Sequence, residues 1–400
     1  MRRLAIFLAL ISTFSCARAQ EQETMIHLSN RVFALAEVQT VYMDSLLPEG
    51  RCPRTFQGDT LVTSDIGWWT SGFYPGVLWQ MYSLTGKESF HGLAVKHTLP
   101  LAGLLEQETD HDIGFQLMSS FAQWEHYDYT HKHEMNVLSA EQLDDILTKG
   151  AEKLAARFVP TAGVIRSWNG NRWNIPVIID NMMNLELLME CGDREIAETH
   201  ALTTAKNHFR DDGTTFHLVD YADDGSVLGR QTVQGYADDS AWARGQAWAL
   251  FGYAMMAREE QDPEIGNPEL ARTFNDIAFK LAEWIIPRLP EDGIPYWDFS
   301  QNDYRDASAG AIIAAGLLDL WENDPDRDPE RKLIAAAERI LRTLASPEYL
   351  AEPRTNGGFL LKHGVGTLPG HSEVDVPLTY ADYYFLYALR TYRWLAKTSR

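Results

Sequence analysis

Cysteine is nearly absent from this chain of 400 residues, which contains three. Cys16 lies in an N-terminal segment treated below, and Cys52 and Cys191 lie far apart in unrelated sequence contexts. Small extracellular domains that depend on disulfide bonds have many cysteines at short spacings. The sequence therefore excludes a disulfide framework, and we predict no disulfide bond.

Basic residues are also few. The chain has 35 Lys and Arg against 56 Asp and Glu, which gives a formal net charge of −21. Because binding to phosphates needs a basic surface, this balance excludes nucleic acid as a partner. It also opposes long-range attraction of polyanions. An anionic substrate would need a local pocket lined by a few Arg or His residues.

Long hydrophobic runs are missing except at the N-terminus. Residues 2–3 are arginine, residues 4–14 are mostly apolar, and residues 17–19 read Ala-Arg-Ala. A charged start, a short apolar run and a small-x-small site are typical of a signal peptide. We predict a signal peptide over 1–19, a single catalytic domain over 20–400, and export to the periplasm.

Cys16 offers an alternative interpretation of this segment, in which Cys16 is lipidated and anchors the protein to a membrane. A lipoprotein signal has a branched apolar residue three positions before its cysteine, and here that residue is Thr13. Cleavage after Ala19 is therefore favoured. No later segment resembles a membrane span.

Several motifs of known chemistry are missing as well. The chain has no GxSxG elbow, no P-loop, and no dinucleotide-binding fingerprint followed by an acidic residue. The segment His131-Lys132-His133 has two possible metal ligands, but no third ligand is evident. We predict neither a metal nor a cofactor.

Aromatic residues, in contrast, are plentiful, with 12 Trp, 16 Tyr and 17 Phe. An aromatic face packs well on the apolar C–H face of a sugar ring, so this composition suits sugar binding. A helical core rich in aromatic residues is the alternative.

Most long segments have apolar residues at helical spacing, among them 246–258, 269–286, 309–321 and 332–345. Six times, a short polar or Gly-containing turn leads into an unusually apolar helix, with more charged helices between them. We predict an all-α fold in which six inner and six outer helices close into an (α/α)6 barrel; an irregular helical bundle is the alternative. The six turns, which would converge at one end of the barrel, begin at Trp68, His111, Ile179, Asp238, Arg305 and Thr379.

Two of these turns contain carboxylates that suit acid–base chemistry. Asp180 follows the apolar run 177–179, and a carboxyl group in apolar surroundings keeps its proton near neutral pH, as a general acid must. Asp112, beside His111, is a second carboxylate that could hold the first protonated or position substrate hydroxyls. Asp is also a favoured N-cap residue, so capping is the alternative for both.

A third turn leads into a helix that has Arg244 and Trp248 four residues apart, on one face. A guanidinium that binds an acid and an indole that stacks on a flat ring would suit an acidic sugar. The alternative is a structural arginine paired with Asp238 or Asp239.

Three motifs, HDIGF (111–115), IIDNMMN (178–184) and QGYADDSAWARGQAW (234–248), resemble those of the unsaturated glucuronyl hydrolases, glycoside hydrolase family 88. The resemblance extends from about residue 50 to the C-terminus. It implies an (α/α)6 barrel in which Asp180 is the general acid and base and Asp112 the second essential carboxylate. The substrate-binding residues that it implies are Trp69, His111, Trp168, His217, Gln234, Arg244 and Trp248.

The resemblance also implies an activity: removal of a 4,5-unsaturated uronic acid from the non-reducing end of lyase-generated di- to tetrasaccharides. The reaction would hydrate the C4=C5 double bond without a cofactor, and we expect a monomer. The alternatives are a relative that acts on unsaturated rhamnogalacturonyl or ulvan oligosaccharides, and a non-catalytic sugar-binding barrel. An epimerase or isomerase would favour several histidines as acid–base pairs, which the surroundings of His217 do not provide.

Overall fold

The computed structural model describes residues 23–131, 137–170 and 172–398. The predicted signal peptide lies outside these residues, so its cleavage and the domain boundary at residue 20 stay predictions. The α-helices, in chain order, are α1 (Met25–Leu46), α2 (Phe73–Thr85), α3 (Glu88–Thr98), α4 (Ile113–Met118), α5 (Phe121–His131), α6 (Ala140–Ala155), α7 (Asn181–Cys191), α8 (Arg194–Asn207), α9 (Ala243–Glu259), α10 (Pro268–Ile285), α11 (Ala307–Asn323), α12 (Lys332–Leu344) and α13 (Thr379–Thr398).

Helices α2, α4, α7, α9, α11 and α13 form an inner ring, in which α4 packs on α7, α7 on α9, α9 on α11, α11 on α13 and α13 on α2. The ring closes where α13 and the 116–119 segment meet α2. A Cβ atom at Gly76 of α2 would lie 2.5 Å from the Tyr383 ring, so the closure depends on a residue without a side chain. Helices α1, α3, α6, α8, α10 and α12 cover the ring from outside. The predicted (α/α)6 barrel is confirmed.

The polarity of each helix determines whether the helix lies in the inner or the outer ring. Every residue of α9 from 243 to 257, and of α11 from 307 to 320, is buried. A helix that is apolar all round must be covered on all sides, whereas α10 and α12 bury only one apolar stripe and face solvent with the other. This difference separates inner from outer helices.

Short antiparallel strands lie between the helices. The sheets pair β1 (Cys52–Gln57) with β2 (Thr60–Ser64), β3 (Phe158–Val159) with β4 (Val164–Ile165), β5 (Ile175–Ile178) with β6 (Leu218–Tyr221) and β7 (Val227–Gln231), and β8 (Gly364–Thr367) with β9 (Ser372–Val376).

The four segments predicted at helical spacing fall on α9, α10, α11 and α12, with ends that differ by at most three residues. The helix expected after His111 is different, because α4 ends at Met118 and α5 begins at Phe121. The hydroxyls of Ser119 and Ser120 donate to the carbonyls of Phe115 and Gln116 at this break. Within the described ranges, no helix is long and apolar enough to span a bilayer.

Candidate active site

A cavity of about 290 Å³ opens where the inner helices begin. The turns before α2, α4 and α7, the first turns of α9 and α13, and the β8–β9 hairpin all contribute to it. Four of the six predicted turns, those that begin at Trp68, His111, Ile179 and Thr379, contribute to the lining. The turns that begin at Asp238 and Arg305 do not, although the second of them places Asp306 beside Arg244. Seven of the predicted site residues line the cavity, namely Trp69, His111, Asp112, Trp168, Asp180, Gln234 and Arg244.

Asp180 stands at the N-cap position of α7, two residues after the end of the fully buried strand β5. Its side chain accepts no capping hydrogen bond from the described helix, so capping does not explain this residue. Burial raises the pKa of Asp180 to about 7, against the opposing positive charge of Arg244. The apolar run before Asp180 predicted a raised pKa of this kind.

Two side chains behind the cavity wall face Asp180. His217 Nε2 lies 3.7 Å from Asp180 Oδ2. The Trp248 indole N–H lies close enough to lower the pKa of Asp180 without meeting hydrogen-bond geometry. All three polar atoms are buried, and none of them has a hydrogen-bond partner in the part of the chain described. Buried polar atoms are rarely left unpaired, and here three of them lie beside the cavity.

Asp112 stands at the N-cap position of α4, where the described backbone also donates no capping hydrogen bond to it. Asn184 Nδ2 donates to its Oδ1 at 3.3 Å, and His111 Nε2 lies 3.5 Å from the same oxygen. Burial raises the pKa of Asp112 well above its usual range, and the charges of Asp110 and Asp180 add to the effect. The cavity therefore holds two carboxyl groups that resist ionisation.

The packing of α4 on α7 fixes this arrangement. A Cβ atom at Gly114 would lie 2.6 Å from Asn184 Cα, so only glycine fits here. Asn184 Oδ1 accepts the Phe115 backbone N–H at 2.7 Å, and its amide nitrogen reaches Asp112. Burial lowers the pKa of His111 to about 4, which keeps the ring neutral beside Asp112.

Arg244 is almost fully buried, and its guanidinium is held on several sides. Nη2 donates to Gln234 Oε1 and to the Gly366 carbonyl, both at 2.6 Å, and Nη1 donates to the Val365 carbonyl. Its ion-pair partner is Asp306, at 3.3 Å. The alternative pairing with Asp238 or Asp239 is thus wrong: Asp238 Oδ1 instead accepts the Thr232 N–H.

Some of the aromatic residues line the cavity, and others pack behind its wall. The Trp69 ring packs 4.8 Å from that of Tyr380, and the Trp168 ring 5.7 Å from that of Trp173. Trp69, Trp168 and Tyr380 line the cavity. Trp248 is fully buried behind Phe115 and is not part of the lining, so the structure does not bring its ring into the cavity as the stacking prediction needs.

Part of the lining was not predicted from the sequence. Tyr380 stands in the last of the six predicted turns, which is the signal that points to it. Arg54 pairs with Glu373 at 2.8 Å, and its guanidinium lies 3.9 Å above the Trp68 ring. Because Arg54 and Glu373 are far apart in the sequence, no local sequence pattern could have predicted their pairing.

A separate acidic cluster lies on the middle and last turns of α7 and at the last residue of α9. Carboxylate oxygens of Glu186, Glu190 and Glu259 lie within 4.8 Å of one another. Arg258 pairs with Glu186 at 2.5 Å and with Glu259 at 3.0 Å, so a guanidinium already neutralises part of this charge. The segment His131-Lys132-His133 lies outside the residues whose side chains are described.

A carboxyl group that holds a proton at neutral pH can donate it, and a fixed arginine in the same cavity suits an acidic ligand. Together with the (α/α)6 barrel, these are the features expected of a glycosidase that acts on acidic sugars.

No family model matches the chain. An unsaturated glucuronyl hydrolase from Formosa agariphila is 38% identical over 80% of this chain and 79% of its own length. An unsaturated chondroitin disaccharide hydrolase from Streptococcus pyogenes is 31% identical over 80% of both chains. The crystal structure of an unsaturated glucuronyl hydrolase specific for heparin superimposes with a TM-score of 0.84 at 38% identity, covering 92% of this chain and 98% of the other. The chain belongs to the unsaturated glucuronyl hydrolases, glycoside hydrolase family 88.

Proposed function

We propose that this glycosidase hydrates the C4=C5 double bond of an unsaturated uronate at the non-reducing end of lyase-generated di- to tetrasaccharides. The observation that carries the proposal is a buried Asp180, protonated near neutral pH, in the same cavity as the fixed cation of Arg244. The names of the relatives, which include a glucuronyl and a chondroitin disaccharide hydrolase, support this substrate class.

In the first step, Asp180 gives its proton to C4. The electrons of the double bond form the C4–H bond, and the positive charge is shared by C5 and the ring oxygen. Water then adds to C5 and returns a proton to Asp180, which acts first as acid and then as base. The C5 hemiketal opens by breaking its bond to the ring oxygen, and the hemiacetal left at C1 collapses and releases the next sugar. One water is consumed in total.

The remaining residues hold the uronate for this step. The Nη N–H groups of Arg244 are taken by Asp306, Gln234 and two backbone carbonyls, so Arg244 contributes its positive charge and fixes Gln234. The amide N–H groups of Gln234 can then donate to the uronate carboxylate. Trp69 and Trp168 offer aromatic faces to the ring. Asp112, kept protonated by burial, can donate a hydrogen bond to a sugar hydroxyl or to the attacking water.

The size of the cavity supports action at a chain end. Its volume of about 290 Å³ is at the lower limit for small-molecule sites, roughly 300 Å³. One sugar ring can be enclosed, while the rest of the oligosaccharide extends past Arg54, Trp68 and Glu373 at the rim.

We also propose that the protein is exported to the periplasm with cleavage after Ala19, and that it acts as a monomer. The N-terminal sequence supports export. The intact mass of the secreted protein, with Gln20 as its first residue, tests the cleavage site. Light scattering tests the oligomeric state.

The deciding experiment follows the ultraviolet absorbance of the double bond, with a chelator present, on unsaturated disaccharides from chondroitin, heparin, hyaluronan and ulvan. Wild type and the control Asp59→Asn, a substitution in an exposed turn, should bleach the best substrate at equal rates, and Asp180→Asn should not. An unsaturated rhamnogalacturonyl disaccharide is a further arm. If wild type binds these sugars but leaves the absorbance unchanged, the protein is a sugar-binding barrel and the proposal fails.

A further inference from the structure

The ring of His217 is fixed by the backbone of the segment that follows β7. Its Nδ1 accepts the backbone N–H of Val233 at 3.0 Å and that of Gln234 at 3.2 Å. A backbone N–H can only donate, so Nδ1 must offer its lone pair. The proton of the neutral imidazole therefore sits on Nε2, and the fold determines the tautomer.

The protonated nitrogen faces Asp180. Nε2 lies 3.7 Å from Asp180 Oδ2, and neither atom has a hydrogen-bond partner among the described residues. The His217 side chain is 2% exposed, lies against the Trp242 ring and is not part of the cavity lining. His217 can thus reach the substrate's reacting atoms through Asp180 and not by direct contact.

Its environment also prevents His217 from gaining a second proton. Burial lowers its pKa to about 3, and the positive charge of Arg244 acts in the same direction. A cation at this place would need Nδ1 to donate, and two backbone N–H groups already point at it. The ring is a permanent neutral donor.

We propose that His217 is a positioning residue whose backbone-fixed N–H is aimed at Asp180 and stabilises the carboxylate that remains after Asp180 has given up its proton. The inference rests on the proposed function, in which Asp180 is the acid. It gives His217 a different part from the substrate contact that the family resemblance implied.

Other groups around Asp180 act on the same equilibrium. Arg244 of α9 favours the carboxylate through its charge, and the Trp248 N–H, one turn further along α9, acts in the same direction. Burial and the negative charge of Asp112, when that group is ionised, favour the protonated form. Without His217, Asp180 keeps its other neighbours and becomes a weaker acid.

The two nitrogens of His217 serve two different contacts, and two variants separate them. In His217→Asn, the amide oxygen takes the place of Nδ1 and still accepts from Val233 and Gln234, but nothing donates to Asp180. In His217→Gln, the amide nitrogen takes the place of Nε2 and still faces Asp180, but the 233–234 backbone loses its acceptor.

Steady-state kinetics across pH distinguish the two contacts. For His217→Asn we expect kcat to fall about tenfold and the alkaline limb of kcat/KM to move up by about one pH unit, with little change in KM. For His217→Gln we expect a limb close to that of wild type and a KM several times higher, because Gln234 is displaced. If both variants lose kcat equally and the alkaline limb of kcat/KM does not move, His217 has only a structural role and the proposal is overturned.

A measurement without substrate keeps this inference separate from the proposed activity. The infrared difference spectrum between wild type and Asp180→Asn isolates the carboxyl stretching band of Asp180. The pH dependence of this band, measured in the ligand-free protein, gives the pKa of Asp180. Asp180 should titrate at higher pH in the His217→Asn background than in the wild-type one. If the variants do not fold, the ¹⁵N shifts of His217 in wild type decide: a protonated Nδ1 would refute the proposal, and a protonated Nε2 supports it. If the wild-type protein turns over none of the sugars, the proposed activity is refuted, but the proposal for His217 is not.

Discussion

At the scale of single residues, the proposed reaction depends on the proton of Asp180. Burial raises its pKa to about 7, and the hydration step needs the protonated form. We therefore expect kcat/KM to be highest below pH 7 and to fall about tenfold per pH unit well above it. Initial rates on the best disaccharide between pH 5 and 9 check this; a profile that stays flat up to pH 9 would mean that Asp180 is not the acid.

The same proton affects stability. A carboxyl whose pKa is 3.8 in the unfolded chain and about 7 in the folded one keeps its proton only when folded. Its contribution is fully present below pH 4, is lost as the pH rises to 7, and then stays constant. Because an amide does not ionise, Asp180→Asn should gain up to about 4 kcal/mol over wild type at pH 8 and little at pH 4. Denaturant unfolding at both pH values measures this, and a variant that is less stable at pH 8 would contradict it.

The pKa shift or the partner of a residue could be predicted from the sequence where it depends on neighbouring residues in the chain. The run before Asp180 gave the sign of its pKa shift, since burial of neighbours along a strand implies burial of the next residue. The partner of Arg244 was not predictable: the nearby Asp238 and Asp239 were plausible, but the fold brings Asp306 and the β8 carbonyls to the guanidinium instead. Which of several carboxylates meets an arginine depends on how helices are placed in the ring.

At the scale of elements, the contact between α4 and α7 positions both carboxyl groups. Gly114→Ala would place a methyl group 2.6 Å from Asn184, whose amide holds Asp112. We expect a loss of about 1–3 kcal/mol in unfolding free energy and a lower kcat. Thermal unfolding and disaccharide turnover measure the two effects.

The matched control is Gly92→Ala, within helix α3. A Cβ atom there meets nothing within 4 Å, and alanine is the better helix former. This variant should be as stable as wild type or slightly more so, with unchanged turnover. Equal losses in both variants would mean that the tight α4–α7 contact is unimportant.

The helices themselves were predictable because inner and outer ones differ in polarity along their whole length. The break between α4 and α5 was not, since it depends on Ser119 and Ser120 bonding back to the preceding turn. Serine does this in many helices that continue without interruption. The rim pair of Arg54 and Glu373 also lacks a local signal, because it forms only when the β1–β2 and β8–β9 hairpins meet.

At the scale of the whole molecule, the net charge of −21 opposes an anionic substrate. Added salt screens this repulsion, with a Debye length of about 10 Å at 0.1 M. We expect kcat/KM to rise about two- to threefold between 20 and 200 mM NaCl, and more for a sulfated disaccharide than for its unsulfated counterpart, with kcat unchanged. A fall with salt for both sugars would show that local attraction by Arg244 dominates the approach.

The closure of the inner ring also sets an order of events. Helix α13 fills the gap between α11 and α2, and its Tyr380 completes the cavity wall. These residues follow those of the other inner helices in the chain, so the earlier helices can pack on one another while the cavity is still open on one side. A chain cut before residue 379 can therefore have a core but no working site.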